Sequence, residues 1–340
     1  MPNTTQAHNL DMGAPDVEST EALIHDPFPA SLPVTFNTVD AEELLAAFLS
    51  GKSPKTIEAY KRDLEDFRLF LEARDMDHTA HIFLSGGLHK ANHLALKYKT
   101  HLSEDKKLQP TTVNRKLAAL RSLTDMAYTL GMINWKVRVK NQKVSSASRD
   151  TRGPGKTGVQ KLQEEVSKRT DPKGLRDKAI LHLLYDLALR RSEVVGLDFE
   201  DVDIERGTLR VLGKGRLQKE TLSLPTRTRK ILSEWMAVRV NCGGCLFMNF
   251  HHNPNIQGKR LSATSLYRII RDLGTQTGQK VRPHGLRHTA ISEAVRKVQA
   301  VGMDVTKVLQ FSRHKDLKTL QVYIDSVEDV QGKIAELVAG

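Results

Sequence analysis

Apolar residues recur every three or four positions from Val39 to about Gln142, a spacing that predicts a bundle of amphipathic helices. Ser53-Pro54 opens one of them, because serine caps a helix N-terminus and proline suits the first turn. Its apolar side is formed by Ile57, Tyr60, Leu64, Phe67 and Leu71. Pro110 opens a longer helix with apolar positions inward and basic positions outward. We predict a helical domain over residues 39–142.

The second half of the chain mixes two periodicities. Asp171-Pro172 opens an almost entirely apolar helix, which we expect to be buried. Three short runs then have the composition of strands and are separated by glycines, at residues 202–205, 208–212 and 220–224. After Pro225 the helical spacing returns and continues to the end of the chain. We predict a mixed α/β domain over residues 158–340 with a small antiparallel sheet, in a chain that is mainly α (α+β).

Three segments fall outside this pattern. Residues 1–38 are rich in Pro, Asn, Thr and Asp without a sustained period, which predicts a disordered acidic tail. Residues 143–157 contain Ser145-Ser146-Ala147-Ser148 and Gly153-Pro154-Gly155, a composition typical of a linker between domains. Residues 327–340 place an apolar stripe on one side of a final helix. A stripe of that width needs to be covered, either by its own domain or by another protomer.

The charge of the chain indicates what kind of partner it binds. The chain of 340 residues has 52 Lys and Arg against 40 Asp and Glu, while its first 51 residues contain eight acidic residues and no basic one. The basic remainder suits a polyanion such as the DNA backbone, although a membrane surface or RNA would attract it as well. No apolar run is as long as a membrane span, and the start of the chain does not resemble a signal peptide. We predict a cytoplasmic protein, associated with the nucleoid when bound to DNA.

The cysteines suggest a metal site only weakly. Cys242 and Cys245 form a single Cys-x-x-Cys, with His251 and His252 close behind. A zinc site needs four ligands at defined spacing, and a redox motif needs its own βαβ setting, so we favour reduced structural thiols. No carboxylate cluster suggests magnesium. We predict neither a metal nor a cofactor.

Candidate chemistry appears in four places. His284 and Arg287 lie three residues apart at a helix start, so both side chains can reach one phosphodiester. Further along, Tyr323 follows His314 by nine positions. Upstream, Arg190 closes the buried helix, and Gly213-Lys214-Gly215 marks the tip of a hairpin. Each motif alone is weak evidence, but the set in this order is specific.

These residues resemble the catalytic set of the tyrosine recombinases, also called phage integrases. The matched positions are Arg190, Lys214, His284, Arg287, His314 and Tyr323. The resemblance extends from Val159 to Ile324 and, more loosely, over the preceding hundred residues, where Thr112-x-Asn114-Arg115 is similar to the helical, SAM-like core-binding domain. It implies a site-specific DNA recombinase whose two domains close around double-stranded DNA. It also implies a homo-tetramer on two recombination sites, with a Holliday junction formed between them.

The resemblance assigns roles to the residues that would meet the phosphate. Arg190 and Arg287 would each donate to the non-bridging oxygens, and His314 would add a third donor. Glu193 would orient Arg190, and an ion pair between the two, the simpler expectation for these neighbours, is compatible with that role. Tyr323 would be the nucleophile that forms a 3′-phosphotyrosyl link, whereas a tyrosine packed in the core is the alternative.

Two more roles concern protons. His284 would act as general base for the phenol, and Lys214 as general acid for the departing 5′ oxygen. Lys219 is a rival for the acid, since it lies on the same hairpin. His288, next to Arg287, is expected to pack rather than to catalyse.

DNA contacts outside the catalytic set are expected from polar and basic residues of the helical domain and the linker. They are Lys55, Arg62, Asn114, Arg115, Arg121, Arg149 and Arg152. The alternative is that these side chains only solvate the surface. By resemblance, the helix at 327–340 would dock on a neighbouring protomer and so close a ring.

The sequence departs from the usual family pattern in three places. Ala188 stands where glycine is usual, Ser312-Arg313 replaces Leu-Gly before the histidine, and the segment from Arg296 to Asp304 is longer. None of these changes removes a catalytic group. Two other functions remain open, namely a monomeric type IB topoisomerase and a DNA-binding regulator without catalysis.

Overall fold

The computed structural model describes residues 38–144, 153–213, 215–239, 244–250, 258–314, 316–327 and 330–339. The chain divides into two units, Met1–Ser148 and Arg149–Gly340. Of the predicted acidic tail, residues 1–37 lie outside the described residues. The predicted mainly helical class with a small antiparallel sheet is confirmed.

The described part of the first unit, residues 38–144, contains five α-helices. They are α1 (Thr38–Leu49), α2 (Pro54–Phe70), α3 (Met76–Leu84), α4 (Gly87–Thr100) and α5 (Pro110–Thr129). A π-helical turn, His101–Asp105, continues α4. Phe48, Phe67, Phe83, Tyr98 and Leu117 fill the core between these helices. The predicted cap of α2 is present, since Ser53 Oγ accepts from the Thr56 N–H at 3.3 Å.

Helix α3 is absent from the sequence prediction. Its nine residues span too few turns to establish a helical period. The local signal is its cap, because the Asp75 carboxylate accepts from the His78 N–H at 2.7 Å.

The second unit begins and ends with helices. The helices are α6 (Gly155–Ser167), α7 (Pro172–Asp186), α8 (Arg191–Gly196), α9 (Thr226–Arg239), α10 (Ala263–Gln276), α11 (Pro283–Ala300), α12 (Val308–Ser312), α13 (Leu317–Val327) and α14 (Val330–Ala339). A 3₁₀ turn at Val305–Lys307 precedes α12. The segment from 305 to 312 therefore consists of two short helical pieces.

Three antiparallel strands lie between α8 and α9. They are β1 (Val202–Asp203), β2 (Thr208–Leu212) and β3 (Lys219–Ser223), in the order β1-β2-β3. In the β2–β3 hairpin, Val211 pairs with Glu220 and Leu212 with Lys219. Leu209 and Val211 point into the core, and the alternate positions face outward.

Two buried clusters support the second unit. The larger surrounds α7 and includes Trp235, whose indole N–H donates to the Leu246 carbonyl at 3.1 Å. The smaller one joins α11, α12 and α13 through Ile291, Val308, Leu320 and Tyr323. The candidate site lies where α7 ends beside this smaller cluster.

Gly153 packs directly on α11. A Cβ placed there would lie 1.9 Å from the Gly285 carbonyl oxygen and 2.0 Å from Thr289 Oγ1. Only glycine permits this approach without a shift of backbone. Helix α6 begins at Gly155, inside the predicted linker of residues 143–157, because this contact already fixes the chain.

None of the helices in the described part of the chain is long and apolar enough to cross a membrane.

Candidate active site

Two left-handed turns bring the candidate residues together. Ala188 ends α7 with φ of 47°, and Arg313 ends α12 with φ of 53°. This conformation terminates many helices and normally selects glycine, which lacks the clash of a Cβ. The glycines that the family favours at these positions thus have a backbone reason. Arg190 and His314 follow the two turns directly.

Arg190 is fixed by the helix that it precedes. It is the N-cap of α8, its backbone N–H donates to Glu193 Oε2 at 2.8 Å, and its Nη1 donates to Oε1 at 2.7 Å. Nη2 donates to the Arg313 carbonyl at 3.3 Å. The expected ion pair is therefore present and orients the guanidinium.

Arg287 lies one helical turn after His284 on α11 and is 1% exposed. Its Nη1 and Nη2 donate to the carbonyls of Ala188 and Ser312. Within the described residues it has no carboxylate at ion-pair distance. Burial, together with the charges of Arg190 and Arg313, lowers the pKa of Arg287 to about 10.

Glu193 is the buried carboxylate among these cations. Burial alone would raise the pKa of Glu193, but Arg313 and Arg190 outweigh burial and lower it. Arg313 Nη2 donates to Glu193 Oε2 at 2.7 Å. One carboxylate thus serves two guanidiniums.

Tyr323 packs between two histidines. Its ring centroid lies 4.6 Å from that of His288 and 5.7 Å from that of His314, which is nearly parallel at 27°. Burial raises the pKa of Tyr323, while Arg287 and Arg190 act in the opposite direction. The phenol is protonated at neutral pH and needs a base before it can attack. His288 packs as predicted.

Both candidate histidines are neutral at pH 7. Burial and the nearby charges of Arg287 and Arg190 lower the pKa of His314 to about 4. His314 Nδ1 is buried and has no hydrogen-bond partner within the described residues. The same causes lower the pKa of His284, although the residue as a whole is exposed at its helix start. A neutral imidazole can accept a proton, as a general base requires.

Of the two candidate general acids, only Lys219 lies in the described part of the chain. Lys214 lies outside the described residues. The Lys219 ammonium lies 2.6 Å from Asp201 Oδ2 and 3.3 Å from Asp198 Oδ2. The hydrogen bond to Asp201, and the weaker one to Asp198, raise the pKa of Lys219. An ammonium held this way gives up its proton less readily, which weakens the case for Lys219.

Sequence reasoning overlooked two members of the site, Arg313 and Glu220. Arg313 appeared only as a departure from a pattern, yet its guanidinium is buried beside Glu193. Glu220 lies on β3, with Oε1 3.1 Å from Arg313 Nε. The available signal was a large basic residue at a position where a helix-ending glycine is usual.

The predicted DNA-contacting residues of α5 are engaged within their own unit. Asn114 exchanges two hydrogen bonds with the Gln142 backbone, at 2.9 and 2.7 Å. Arg121 donates to the Val139 carbonyl and to Asn141 Oδ1, both at 2.8 Å. Arg115 is paired with the buried Asp63. The contacts of Asn114 and Arg121 hold residues 139–142 against α5, whereas Arg115 ties α5 to α2.

Two predicted residues of α2 are exposed, and two others cannot be placed. Lys55 and Arg62 lie on the surface of the helix. Arg149 and Arg152 lie outside the described residues. So do Cys242, His251 and His252 of the weak metal motif, while Cys245 is half-buried.

Comparison with known proteins assigns both units to one family. A family model described as "Phage integrase family" matches residues 156–329, just over half of the chain. A model described as "Phage integrase, N-terminal SAM-like domain" matches residues 47–131.

Individual relatives belong to the same family. A tyrosine recombinase of Synechocystis sp. is 31% identical over 304 residues, covering 88% of this chain and 94% of the relative. The tyrosine recombinase XerC of Thermodesulfovibrio yellowstonii is 29% identical and covers 80% of this chain and 86% of the relative. The structure of the XerH site-specific recombinase bound to palindromic difH substrate shares the fold, with a TM-score of 0.63 at 17% identity, covering 89% of this chain and 85% of that one. This chain therefore belongs to the phage integrase family, the tyrosine recombinases, which are enzymes that break and rejoin DNA strands.

Proposed function

We propose that the protein is a site-specific recombinase that cuts and rejoins DNA through a covalent 3′-phosphotyrosyl intermediate at Tyr323. Two specific DNA sites would be held by a homo-tetramer and exchange strands through a Holliday junction. The work would take place in the cytoplasm, on the DNA of the nucleoid.

The observation that carries this proposal is the convergence of Arg190, Arg287, His314 and Tyr323 on one small region. Arg287 is almost fully buried and hydrogen-bonded to carbonyls, without an ion pair among the described residues. A buried charge of this kind is costly unless a ligand supplies the opposite charge. A phosphodiester is such a ligand, and two guanidiniums suit its two non-bridging oxygens.

The chemistry is a transesterification. The Tyr323 Oη attacks the scissile phosphorus, the bond to the 5′ oxygen breaks, and a 3′-phosphotyrosyl link and a 5′ hydroxyl result. His284 takes the phenolic proton, and Lys214 gives a proton to the departing 5′ oxygen. Arg190, Arg287 and His314 stabilise the charge that accumulates on the phosphoryl oxygens. Because one ester replaces another, rejoining is the same step in reverse.

DNA contacts of the first unit are proposed for Lys55 and Arg62, which are exposed on α2. Asn114, Arg115 and Arg121 would contact DNA only in addition to the internal contacts described above. Because phosphate contacts release counterions, each one that is made should steepen the salt dependence of binding.

Assembly is proposed to use α14. Its Leu337 and Val338 are each 82% exposed. Exposed aliphatic side chains on a short terminal helix favour docking on a second copy of the chain. A head-to-tail contact of this kind closes into a ring when its rotation allows.

The decisive experiment traps the covalent intermediate. A suicide duplex, nicked near the cleavage point so that the 5′ hydroxyl fragment diffuses away, is incubated with the wild type, Tyr323→Phe and Tyr185→Phe. Tyr185 is a matched control, because it is a half-buried tyrosine that packs against the same cluster. We expect a denaturation-resistant adduct from the wild type and from Tyr185→Phe, and none from Tyr323→Phe.

The alternatives have their own outcomes. DNA binding without an adduct from the wild type would identify a regulator. An adduct combined with relaxation of supercoiled DNA by the monomer, but without exchange between two sites, would identify a topoisomerase. An adduct that survives Tyr323→Phe would move the nucleophile to another residue.

A further inference from the structure

Arg313 occupies a position that arginine adopts at a cost. Its φ of 53° and ψ of 36° lie in the left-handed region. For a residue with a Cβ this conformation is less favourable than the right-handed one, because the Cβ approaches the following carbonyl oxygen. Such strain persists when surrounding contacts determine the conformation, and it concentrates at functional sites.

The compensating contacts are those of the side chain. Arg313 Nη1 donates to the Leu187 carbonyl at 3.2 Å, and Nη2 donates to the Ala188 carbonyl at 3.4 Å and to Glu193 Oε2 at 2.7 Å. Nε lies 3.1 Å from Glu220 Oε1, an ion pair without hydrogen-bond alignment. The residue is 8% exposed. A planar fork can serve acceptors on several sides, whereas a lysine ammonium is a single point of charge.

Two contacts of Arg313, one from its side chain and one from its main chain, converge on Arg190. The Arg313 side chain holds Glu193, whose other carboxylate oxygen accepts from Arg190 Nη1. The Arg313 carbonyl accepts from Arg190 Nη2. One residue therefore constrains both ends of the Arg190 guanidinium, once through its side chain and once through its main chain.

The contact with Glu220 reaches the β2–β3 hairpin. Glu220 lies on β3 opposite Val211, and its Oε2 is also 2.8 Å from Arg216 Nη1 near the hairpin tip. Arg313 thus links the turn before His314 to the β2–β3 hairpin.

We propose that Arg313 is a positioning residue of the recombination reaction, one that holds Arg190 in the orientation that meets the scissile phosphate and ties the β2–β3 hairpin to the same site. The inference rests on the proposed function and extends it to a residue outside the catalytic set. Its side chain is covered by protein and need not touch DNA to act.

The test compares charged and neutral substrates. Covalent adduct formation is timed at saturating DNA on two suicide duplexes, one with a phosphodiester and one with a methylphosphonate at the cleavage point. The methylphosphonate carries no negative charge, so cleavage depends less on Arg190. We expect Arg313→Gly to slow cleavage of the phosphodiester by tenfold or more, and to slow cleavage of the methylphosphonate much less.

Arg313→Gly is chosen because glycine accepts the left-handed turn, so the backbone keeps its shape when the side chain is removed. A loss of folded protein would lower the final yield of adduct on both substrates and leave the rate constants of cleavage unchanged. Arg190→Ala serves as reference, and the double variant should be no slower than Arg190→Ala within about twofold, because coupled residues are not additive. Arg313→Lys should restore only part of the rate.

The hairpin link has its own comparison. Glu220→Gln should slow cleavage in the wild type and have no further effect in Arg313→Gly. An additive effect of Glu220→Gln would overturn the link.

The remaining outcomes are separable. An Arg313→Gly protein that cleaves at the wild-type rate, or that slows on both substrates alike, overturns this inference alone. A wild type that forms no adduct on the phosphodiester overturns the proposed function, and this inference with it.

Discussion

Arg287 offers a quantitative test of whether the site is built for an anion or for stability. Its pKa falls from an ordinary value of 12.5 to about 10. At about 1.4 kcal/mol per pKa unit, keeping this charge in the folded protein costs about 3 kcal/mol. Replacing Arg287 with methionine, which has a similar length and no charge, should recover most of that cost.

The same replacement removes two hydrogen bonds. The Ala188 carbonyl keeps a second donor in Arg313 at 3.4 Å, whereas the Ser312 carbonyl loses its donor, Arg287 Nη2. A buried acceptor left without a donor costs about 1–3 kcal/mol. Gain and loss nearly cancel, so Arg287→Met should change the free energy of unfolding by less than about 2 kcal/mol.

Arg176 is the matched control. It is a buried arginine of the same unit, but its Nη2 is paired with the buried Asp177 at 2.7 Å. Removing one partner of a buried ion pair costs about 3–5 kcal/mol, and the Asp177 carboxylate would keep only the more distant Arg169, at 3.7 Å. Arg176→Met should therefore destabilise the second unit far more than Arg287→Met.

Urea unfolding can report on that unit alone. The chain contains two tryptophans, Trp135 and Trp235, one in each unit. In a Trp135→Phe background, fluorescence follows Trp235 in the core of the second unit. Equal destabilisation by Arg287→Met and Arg176→Met would refute the reasoning and make Arg287 a structural tie. Added duplex DNA should raise the unfolding midpoint of the wild type by more than that of Arg287→Met.

Three further predictions concern other parts of the molecule. The pKa of His314 is near 4 in the folded protein and near 6.5 in the unfolded chain. Between pH 6.5 and pH 4 the unfolded chain therefore binds more protons than the folded protein does. Stability should therefore fall as the pH drops through this range, and His314→Gln should flatten the fall measured by Trp235 fluorescence. Lys214→Ala should fail on ordinary DNA but cleave a substrate with sulfur at the 5′ bridging position, since a thiolate leaves without a proton, while Lys219→Ala should show no such selective rescue. Deletion of Val330–Gly340 should leave a folded protein that binds one DNA site and does not assemble two-site complexes by gel shift, whereas precipitation without DNA would place α14 in its own core.

The sequence was informative where local chemistry determines structure. Ser53-Pro54 and Pro110 marked helix starts correctly, because capping and proline geometry depend only on neighbouring residues. Residues Thr208–Leu212 were predicted with their exact strand bounds, since glycines on both sides limit the run. The family was likewise recognised, from the resemblance carried by six residues in their order and local context.

It was less informative where contacts between distant segments decide. Nothing local to Asn114 or Arg121 indicates that residues 139–142 return to cover them, at separations of 18 to 28 positions. Arg313 and Glu193 are 120 residues apart, so their hydrogen bond could not be read from either motif. Roles in long-range networks depend on the completed fold, which residue type alone does not specify.

Most of the acceptors that hold the arginines of this site belong to the main chain. The carbonyls of Leu187, Ala188, Ser312 and Arg313 are all used. A side-chain substitution leaves such an oxygen in place as long as the turn keeps its path. The groups that aim the guanidiniums therefore do not depend on the side chains of Leu187, Ala188 and Ser312. Ser312→Ala should be tolerated for this reason, and amide-to-ester replacement, which weakens the carbonyl as an acceptor, would be needed to reveal the contribution of its main chain.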